Sequence, residues 1–325
     1  MSLGDFPGWF VISTCFNIAS VSTRTFLKPS GETYLPKYDF YHNISKMNEC
    51  LRHISAQYSG FVNVEMQYRS RLGLPQYVVH LTNFSRDNKK SMDAKSRILL
   101  SYGEHAAEFF PVQSVFYLLD NITRGFDLSP RTYEGRFTRF VLNNFDLYLV
   151  TILNPDGRVL IERTKDHCWL GTVNNVDLNA DLGDEKSTRI MAEKEEEFSQ
   201  LSDVRHLASI MSKSVLPQYS VVPLKTFPSG GSIFAYAANE RKVSFTYKIS
   251  MWKNKEKRKT NSNEDCFSSL NPQSENLQAE LETVHTLYST LFNYMHYWKQ
   301  LQLYEEARQL EDGKPTLSKN LEKIV

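Results

Sequence analysis

Two short apolar segments, separated by two stretches of helical pattern, constrain the fold of this chain most strongly. They are residues 96–103, SRILLSYG, and residues 145–153, FDLYLVTIL, and each has the length and composition of a buried strand. Between them, residues 108–121 and 133–143 have helical patterns. Pro111 falls in the first turn of the first helix, where proline is tolerated. Strands that alternate with helices predict an α/β sheet.

The flanking segments extend this pattern. Residues 44–58 have helical spacing, and residues 61–68 and 76–83 alternate like the two strands of a hairpin. Downstream, a helix around 199–213 and a strand over 242–250 precede a long helix. The apolar stripe of that helix is formed by Leu277, Leu281, Val284, Tyr288, Leu291 and Met295. The order predicts an α/β fold with helices on both faces of the sheet.

Size and charge limit the classes of protein to consider. With 325 residues and 41% hydrophobic content, the chain can form one large domain or two small ones. It has no internal repeat and no linker, so we predict one domain over 36–310, an N-terminal tail or weak signal segment over 1–35, and a C-terminal tail over 311–325. The 38 basic and 37 acidic residues nearly cancel, which gives no case for nucleic acid. No apolar run is long enough to span a bilayer.

Several features bear on the cellular compartment. The cysteines, Cys15, Cys50, Cys168 and Cys266, have no zinc-finger spacing and are too few for a disulfide scaffold. The apolar N-terminal stretch lacks the positive residues that begin a signal peptide. Three glycosylation sequons begin at Asn43, Asn83 and Asn121. The sequons point towards the secretory route, with a cytoplasmic location as the alternative.

His105 and Glu108 follow the first buried strand directly. In open α/β sheets, functional sites form at the carboxyl ends of strands. A histidine and a carboxylate at this place can bind zinc through nitrogen and oxygen. An HxxE pair alone is a weak signal, and a polar pair at a helix start is the ordinary alternative.

A series of motifs in a fixed order supports the interpretation of His105 and Glu108 as metal ligands. They are DFYHN at 39–43, GEHAAE at 103–108, NPDG at 154–157, CWLGT at 168–172, VDLNAD at 176–181, SGGSIFAY at 229–236 and VSFTYKI at 243–249. In this order the chain resembles the zinc metallocarboxypeptidases of the carboxypeptidase A/B type. The resemblance covers residues 39 to about 250, and the terminal helix extends it.

The resemblance implies a fold and a reaction. The fold is a mixed, mostly parallel eight-stranded sheet with helices on both sides. The reaction is hydrolysis of the C-terminal peptide bond of a peptide or protein. One zinc ion, held by His, Glu and a second His, polarises the carbonyl and acidifies a water, and a glutamate takes the proton. Arginines bind the substrate's terminal carboxylate and stabilise the oxyanion.

The family's roles transfer to only a few residues of this chain. His105 and Glu108 match two zinc ligands, and Asn179 matches the asparagine that binds the substrate carboxylate. Lys248 occupies the position of the general-base glutamate. A lysine is a base only after losing its proton, and its ammonium repels a metal ion, so Lys248 is poorly suited to the role of general base.

Other positions depart from the family. Its arginines are replaced by Ala107, Leu170 and Ala180, which cannot donate hydrogen bonds from their side chains. Its tyrosine before the SGGS loop is replaced by Thr226, and the residue that selects the substrate side chain is Phe234. Substrate preference therefore cannot be predicted.

The second zinc histidine has no counterpart. Between VDLN and SGGS the spacing is short, and the only histidine there, His206, lies in a helical pattern. We interpret His206 as a surface or core-edge residue. The short spacing indicates that part of the central segment is lacking, either in a shortened variant or in an incomplete sequence.

Two functional hypotheses follow. The first is a zinc carboxypeptidase-type hydrolase whose activity is impaired or lost. The second is a non-catalytic relative that binds a peptide or protein C-terminus. One zinc ion is the expected cofactor if the site is filled. The sequence does not predict an oligomeric state.

Overall fold

An eight-stranded sheet with the strand order β2-β3-β5-β4-β1-β8-β6-β7 organises the protein. The computed structural model describes residues 9–13, 34–84, 95–176, 189–192, 201–215, 220–223, 245–252 and 262–311, with residues 237, 241 and 243. The strands are β1 Trp9–Ser13, β2 Val62–Glu65, β3 Val78–Leu81, β4 Ser96–Ser101, β5 Phe145–Val150, β6 Arg189–Ala192, β7 Ser220–Pro223 and β8 Thr246–Ile249. The helices are α1 Ile44–Gln57, α2 Phe109–Asp127, α3 Tyr133–Asn144, α4 Pro155–Thr164, α5 Leu201–Ser212, α6 Asn263–Leu270 and α7 Ser274–Glu311.

The sheet has a parallel centre and antiparallel flanks. Strands β5, β4, β1 and β8 run parallel to one another. Strand β3 runs antiparallel to β5 and to β2, and β6 runs antiparallel to β8 and parallel to β7. The predicted fold class, one α/β domain with helices on a mixed, mostly parallel sheet, is confirmed. The predicted hairpin is the antiparallel pair β2 and β3.

Strand β1 joins the two halves of the sheet. Its residue Val11 pairs with Leu99 of β4 on one side and with Thr246 of β8 on the other. From the sequence, residues 1–35 are predicted to form an N-terminal tail or weak signal segment, and this prediction includes the five residues of β1. The sheet has eight strands because β1 lies at this central position. Without it, β4 and β8 would each present an unpaired edge.

The main core lies between the sheet and a layer of helices. Alternate residues of β4 and β5, such as Ile98, Leu100 and Leu147, are fully buried against this layer. Helix α2 is buried on most of its surface because α3 and α7 both pack on it. The predicted stripe of α7 is confirmed, since all six of its residues are buried.

The segment NPDG forms a helix start, where the sequence suggested only a turn. The Asn154 side chain accepts a hydrogen bond from the Gly157 amide, and Pro155 occupies the first helical position of α4. Asparagine as N-cap and proline as first residue are both favoured at helix starts. Asparagine and proline are favoured both in turns and at helix starts, so the local sequence does not distinguish the two structures.

Replacing Val11 with proline tests the role of β1. Proline removes an amide hydrogen from the centre of the sheet, where it is not tolerated. We expect Val11→Pro to lower the free energy of unfolding by about 1–3 kcal/mol or more, the cost of one unsatisfied buried backbone group. Chemical denaturation measures the change. Val11→Thr, which keeps the amide hydrogen and the branched side chain, is the control. Equal stability of the two variants would refute a central role for β1.

Candidate functional site

The candidate site lies at the carboxyl edge of the parallel strands, in the loop between β4 and α2. After β4 the chain turns at Gly103, which has φ +67. An added Cβ there would lie 2.9 Å from Cγ2 of Val112, so a side chain is excluded both by conformation and by space. Backbone hydrogen bonds from Leu153 to Tyr102 and from Asn154 to Gly103 fix the loop to the segment that follows β5.

His105 and Glu108 face each other within this loop. Nδ1 of His105 and Oε1 of Glu108 are 2.9 Å apart, and the side chains are 11% and 28% exposed. Two donors of one tetrahedral zinc ion, each about 2.0–2.2 Å from the metal, lie about 3.3 Å apart. The pair therefore needs to open by only a few tenths of an ångström to hold one ion between its two donor atoms.

A third ligand is not found in the described part of the chain. No group of three His, Cys, Asp or Glu side chains is placed there to hold a metal ion. His206 is exposed on α5 and packs beside Tyr294 of α7, as the surface interpretation predicted. The described residues thus fit a zinc ion only in part.

An apolar cluster forms the wall behind the pair. Ala106 and Ala107 are buried with Phe109 and Ile161, and half-buried Leu170 packs against them. The amide of Ala106 donates to the carbonyl of Leu170, which brings the two segments together. Both Ala107 and Leu170 stand at positions where the resemblance expects arginines. An arginine at Ala107, which has no exposed surface, would have to displace this packing.

Asn271 anchors the start of α2 beside the pair. Its Oδ1 accepts from the amides of Phe109 and Phe110, and its Nδ2 donates to the carbonyls of Ala107 and Phe267. The residue is almost fully buried. It thereby satisfies two of the amides that a helix start leaves without partners. No local sequence pattern indicates this role, because Asn271 is distant from the start of α2 in the chain.

A disulfide bond fixes the other side of the wall. Cys168, next to Trp169, is bonded to Cys266 of α6, with 98 residues of sequence separation. The neighbouring His167 ring packs on Phe109 and Phe267, and burial with nearby positive charge lowers its pKa. Cysteine number and spacing alone did not predict this bond.

Arg158 is a buried cation close to the candidate site. Its Cζ lies 3.3 Å from the centre of the Phe109 ring, its Nε donates to Glu162, and its Nη2 donates to the carbonyl of His42. Burial lowers its pKa to about 10, while Glu162 acts in the opposite direction. Because it is 1% exposed, it cannot serve in place of the missing surface arginines. In the sequence, only the i, i+4 spacing of Arg158 and Glu162 indicates their ion pair.

Lys248 lies at the same edge of the sheet. Ser101 pairs with Ser13, and Ile12 with Tyr247, so the register places Lys248 level with Ser101 across β1. At about 4.8 Å between strands, the Cα atoms of Ser101 and Lys248 are about 10 Å apart. Lys248 is buried, and by strand alternation its side chain points away from that of Tyr247, which bonds to α5. Asn179, Ala180, Thr226 and Phe234 lie outside the described residues.

Replacing Asn271 tests its anchoring role. We expect Asn271→Ala to lower the free energy of unfolding by about 1–3 kcal/mol or more, because buried amides and a carbonyl lose their partner. Thermal or chemical denaturation provides the measurement. Asn144→Ala, which removes a single side-chain bond to the Phe140 carbonyl in a half-buried position, is the matched control. An Asn271 variant as stable as the Asn144 variant would contradict the anchoring role.

Comparison with known proteins places these observations in a family. Residues 47–305 match the family model described as zinc carboxypeptidase. No protein among curated sequences matches the chain.

Solved structures share the fold at low sequence identity. The carboxypeptidase A from Helicoverpa armigera is 12% identical, with a TM-score of 0.61 over 83% of this chain and 77% of that one. Thrombin activatable fibrinolysis inhibitor is 12% identical, with a TM-score of 0.60 over 82% of this chain and 79% of that one. The bovine form of that inhibitor, in complex with tick carboxypeptidase inhibitor, is 12% identical, with a TM-score of 0.57 over 79% and 98% of the two chains.

Proposed function

This chain belongs to the zinc carboxypeptidase family, and we propose that its hydrolysis of C-terminal peptide bonds is impaired or lost. The family's reaction needs a bound zinc ion, a general base, and donors for the substrate carboxylate and the oxyanion. When bound, zinc supplies Lewis acidity at the carbonyl and an acidified water. In this chain His105 and Glu108 would hold the ion.

The observation that carries the proposal is the position of Lys248. It is a buried lysine at the carboxyl edge of β8, level with the end of β4 that leads to His105. An ammonium group at this edge opposes the binding of a divalent cation by Coulomb repulsion, which is strong where water is scarce. A lysine ammonium offers only hydrogen-bond donors, whereas the carboxylate of the family's glutamate can accept a proton. One residue type thus weakens both metal binding and base catalysis.

The apolar wall supports the same proposal. Ala107 and Leu170 are packed into the cluster behind the pair and offer no side-chain hydrogen-bond donors. Arg158 is bound to Glu162 and to a backbone carbonyl. Removing one oxyanion donor typically slows an enzyme by about 100- to 1000-fold. A chain with alanine and leucine at these places would therefore be slow even with zinc bound.

The alternative is a non-catalytic module that binds the C-terminus of a peptide or protein. The apolar wall beside His105 and Glu108 supports it, because such a wall suits the apolar side chain of a C-terminal residue. A structurally similar protein, bovine thrombin-activatable fibrinolysis inhibitor, was solved in complex with a protein inhibitor. Its fold is thus compatible with a bound protein partner.

We propose further that the chain follows the secretory route, with the cytoplasm as the alternative. The disulfide bond between Cys168 and Cys266 supports an oxidising compartment, because such bonds are rare where glutathione keeps thiols reduced. Among the described helices, none is long and apolar enough to cross a membrane.

Metal analysis tests the impaired-site proposal. We expect the purified protein to hold less than one zinc ion per chain and to release C-terminal residues from test peptides at least about 100-fold more slowly than carboxypeptidase A. Lys248→Glu removes the positive charge, and we expect it to raise zinc affinity roughly tenfold. Lys248→Met, which removes the charge without adding a ligand, should give a smaller rise.

Two outcomes would contradict the proposal. One is stoichiometric zinc with rapid peptide turnover, both abolished in His105→Ala. The other is unchanged zinc affinity in both Lys248 variants, which would show that the lysine charge does not govern the site. The alternative function is tested separately by titrating the wild-type chain with peptides that carry a free or an amidated C-terminus. Equal binding of the two peptides would rule out recognition of the carboxylate.

Breaking the disulfide bond tests its structural contribution. We expect Cys168→Ser/Cys266→Ser to lower the free energy of unfolding by about 2–5 kcal/mol, because a long loop is no longer closed in the unfolded chain. Denaturation with and without a reducing agent gives the measurement, and reduced wild type should match the variant. Cys50→Ser, at a free half-buried cysteine, is the control. A reducing agent that leaves wild-type stability unchanged would contradict the assignment.

A further inference from the structure

The three glycosylation sequons have different surroundings in the folded chain. Asn121, on α2, is 4% exposed. Its Nδ2 donates to the Tyr117 carbonyl, and its Oδ1 accepts from the Tyr34 hydroxyl. An oligosaccharide on this nitrogen would have to lie inside the protein. The sequon at Asn121 is therefore incompatible with a glycan in the folded state.

Asn83 is held at several points. It is half-buried, and its Nδ2 donates to Oδ1 of Asn143 at 3.0 Å. Its amide donates to the carbonyl of Leu142, and its own carbonyl accepts from the buried ammonium of Lys95. The side chain thus points toward neighbouring protein groups, and a sugar on its nitrogen would disturb the pair with Asn143.

Asn43 is oriented differently. It is exposed, and so is Ser45, the hydroxyl residue of its sequon. Its Oδ1 accepts from the Lys46 amide as N-cap of α1, which directs the oxygen toward the helix. In the described contacts the amide nitrogen Nδ2 takes no part. The next amide, that of Ile44, donates to Glu162, so the backbone at this point is fixed.

We propose that Asn43 is the acceptor of an N-linked oligosaccharide, and that it is the only one of the three sequons to carry a glycan in the folded protein. This inference rests on the secretory route proposed above. In the transfer, Nδ2 of Asn43 forms a bond to the anomeric carbon of an oligosaccharide carried on a lipid pyrophosphate. The carrier leaves as the lipid pyrophosphate, and the amide loses one proton. The N-cap survives because Oδ1 is not used.

The experiment tests separately whether Asn43 accepts the glycan and whether the chain enters the secretory route. The full chain is expressed in animal cells with and without a cleavable secretory leader before Met1, and the folded, secreted fraction is collected. We expect one glycan, seen as one mobility shift on gel electrophoresis that an endoglycosidase removes. Asn43→Asp should abolish the shift while keeping the N-cap, because aspartate caps as well as asparagine. Ser45→Ala should do the same with Asn43 intact.

Each outcome bears on the acceptor residue or on the secretory route. A secreted, leader-fused chain without a glycan would overturn the site, as would a glycan that persists in Asn43→Asp. A shift that disappears in Asn83→Gln or in Asn121→Gln would likewise overturn the assignment to Asn43. If only the leader-fused form is secreted and carries the glycan at Asn43, the site is supported and the secretory route of the unfused chain is refuted.

Discussion

The backbone pairing of β1 with β4 and β8 is the constraint on which the rest of the structure depends. Strands β2, β3, β5 and β4 form one half of the sheet, and β8, β6 and β7 form the other. The two halves meet only through β1 in the described sheet. The candidate site draws on both, since His105 and Glu108 follow β4 and Lys248 lies on β8. Their separation is therefore set by a single strand from the N-terminal region.

The chemistry of the site follows from what surrounds the His105 and Glu108 pair. Asn271 and the disulfide bond hold the described loop and its wall in place. In the proposed impaired site, the wall is apolar where hydrogen-bond donors would be needed, and the positive charge of Lys248 at the same edge of the sheet opposes a metal ion. Arg158, the other cation close by, is paired with Glu162. A well-supported scaffold with an unsuitable charge pattern is what the proposed loss of activity requires.

Local patterns predicted much of the fold because burial and periodicity are local properties. The alternation of β4 and β5, the stripe of α7 and the hairpin all follow from residues close in sequence. The pair of His105 and Glu108 also follows, because three residues separate its members. The anchoring by Asn271, the bond between Cys168 and Cys266, and the place of β1 depend on contacts between distant segments. No local pattern encodes such contacts.

The sequence by itself determined the α/β class, the family resemblance, and the positions where residue types depart from the family's motifs. Tertiary structure alone decided which side chains from distant parts of the chain meet. It placed Lys248 level with the end of β4, and it buried Asn121 while leaving Asn43 exposed. The physical reason is the same in each case. Burial and proximity arise only when segments far apart in the chain pack together, whereas residue type and spacing are fixed before folding.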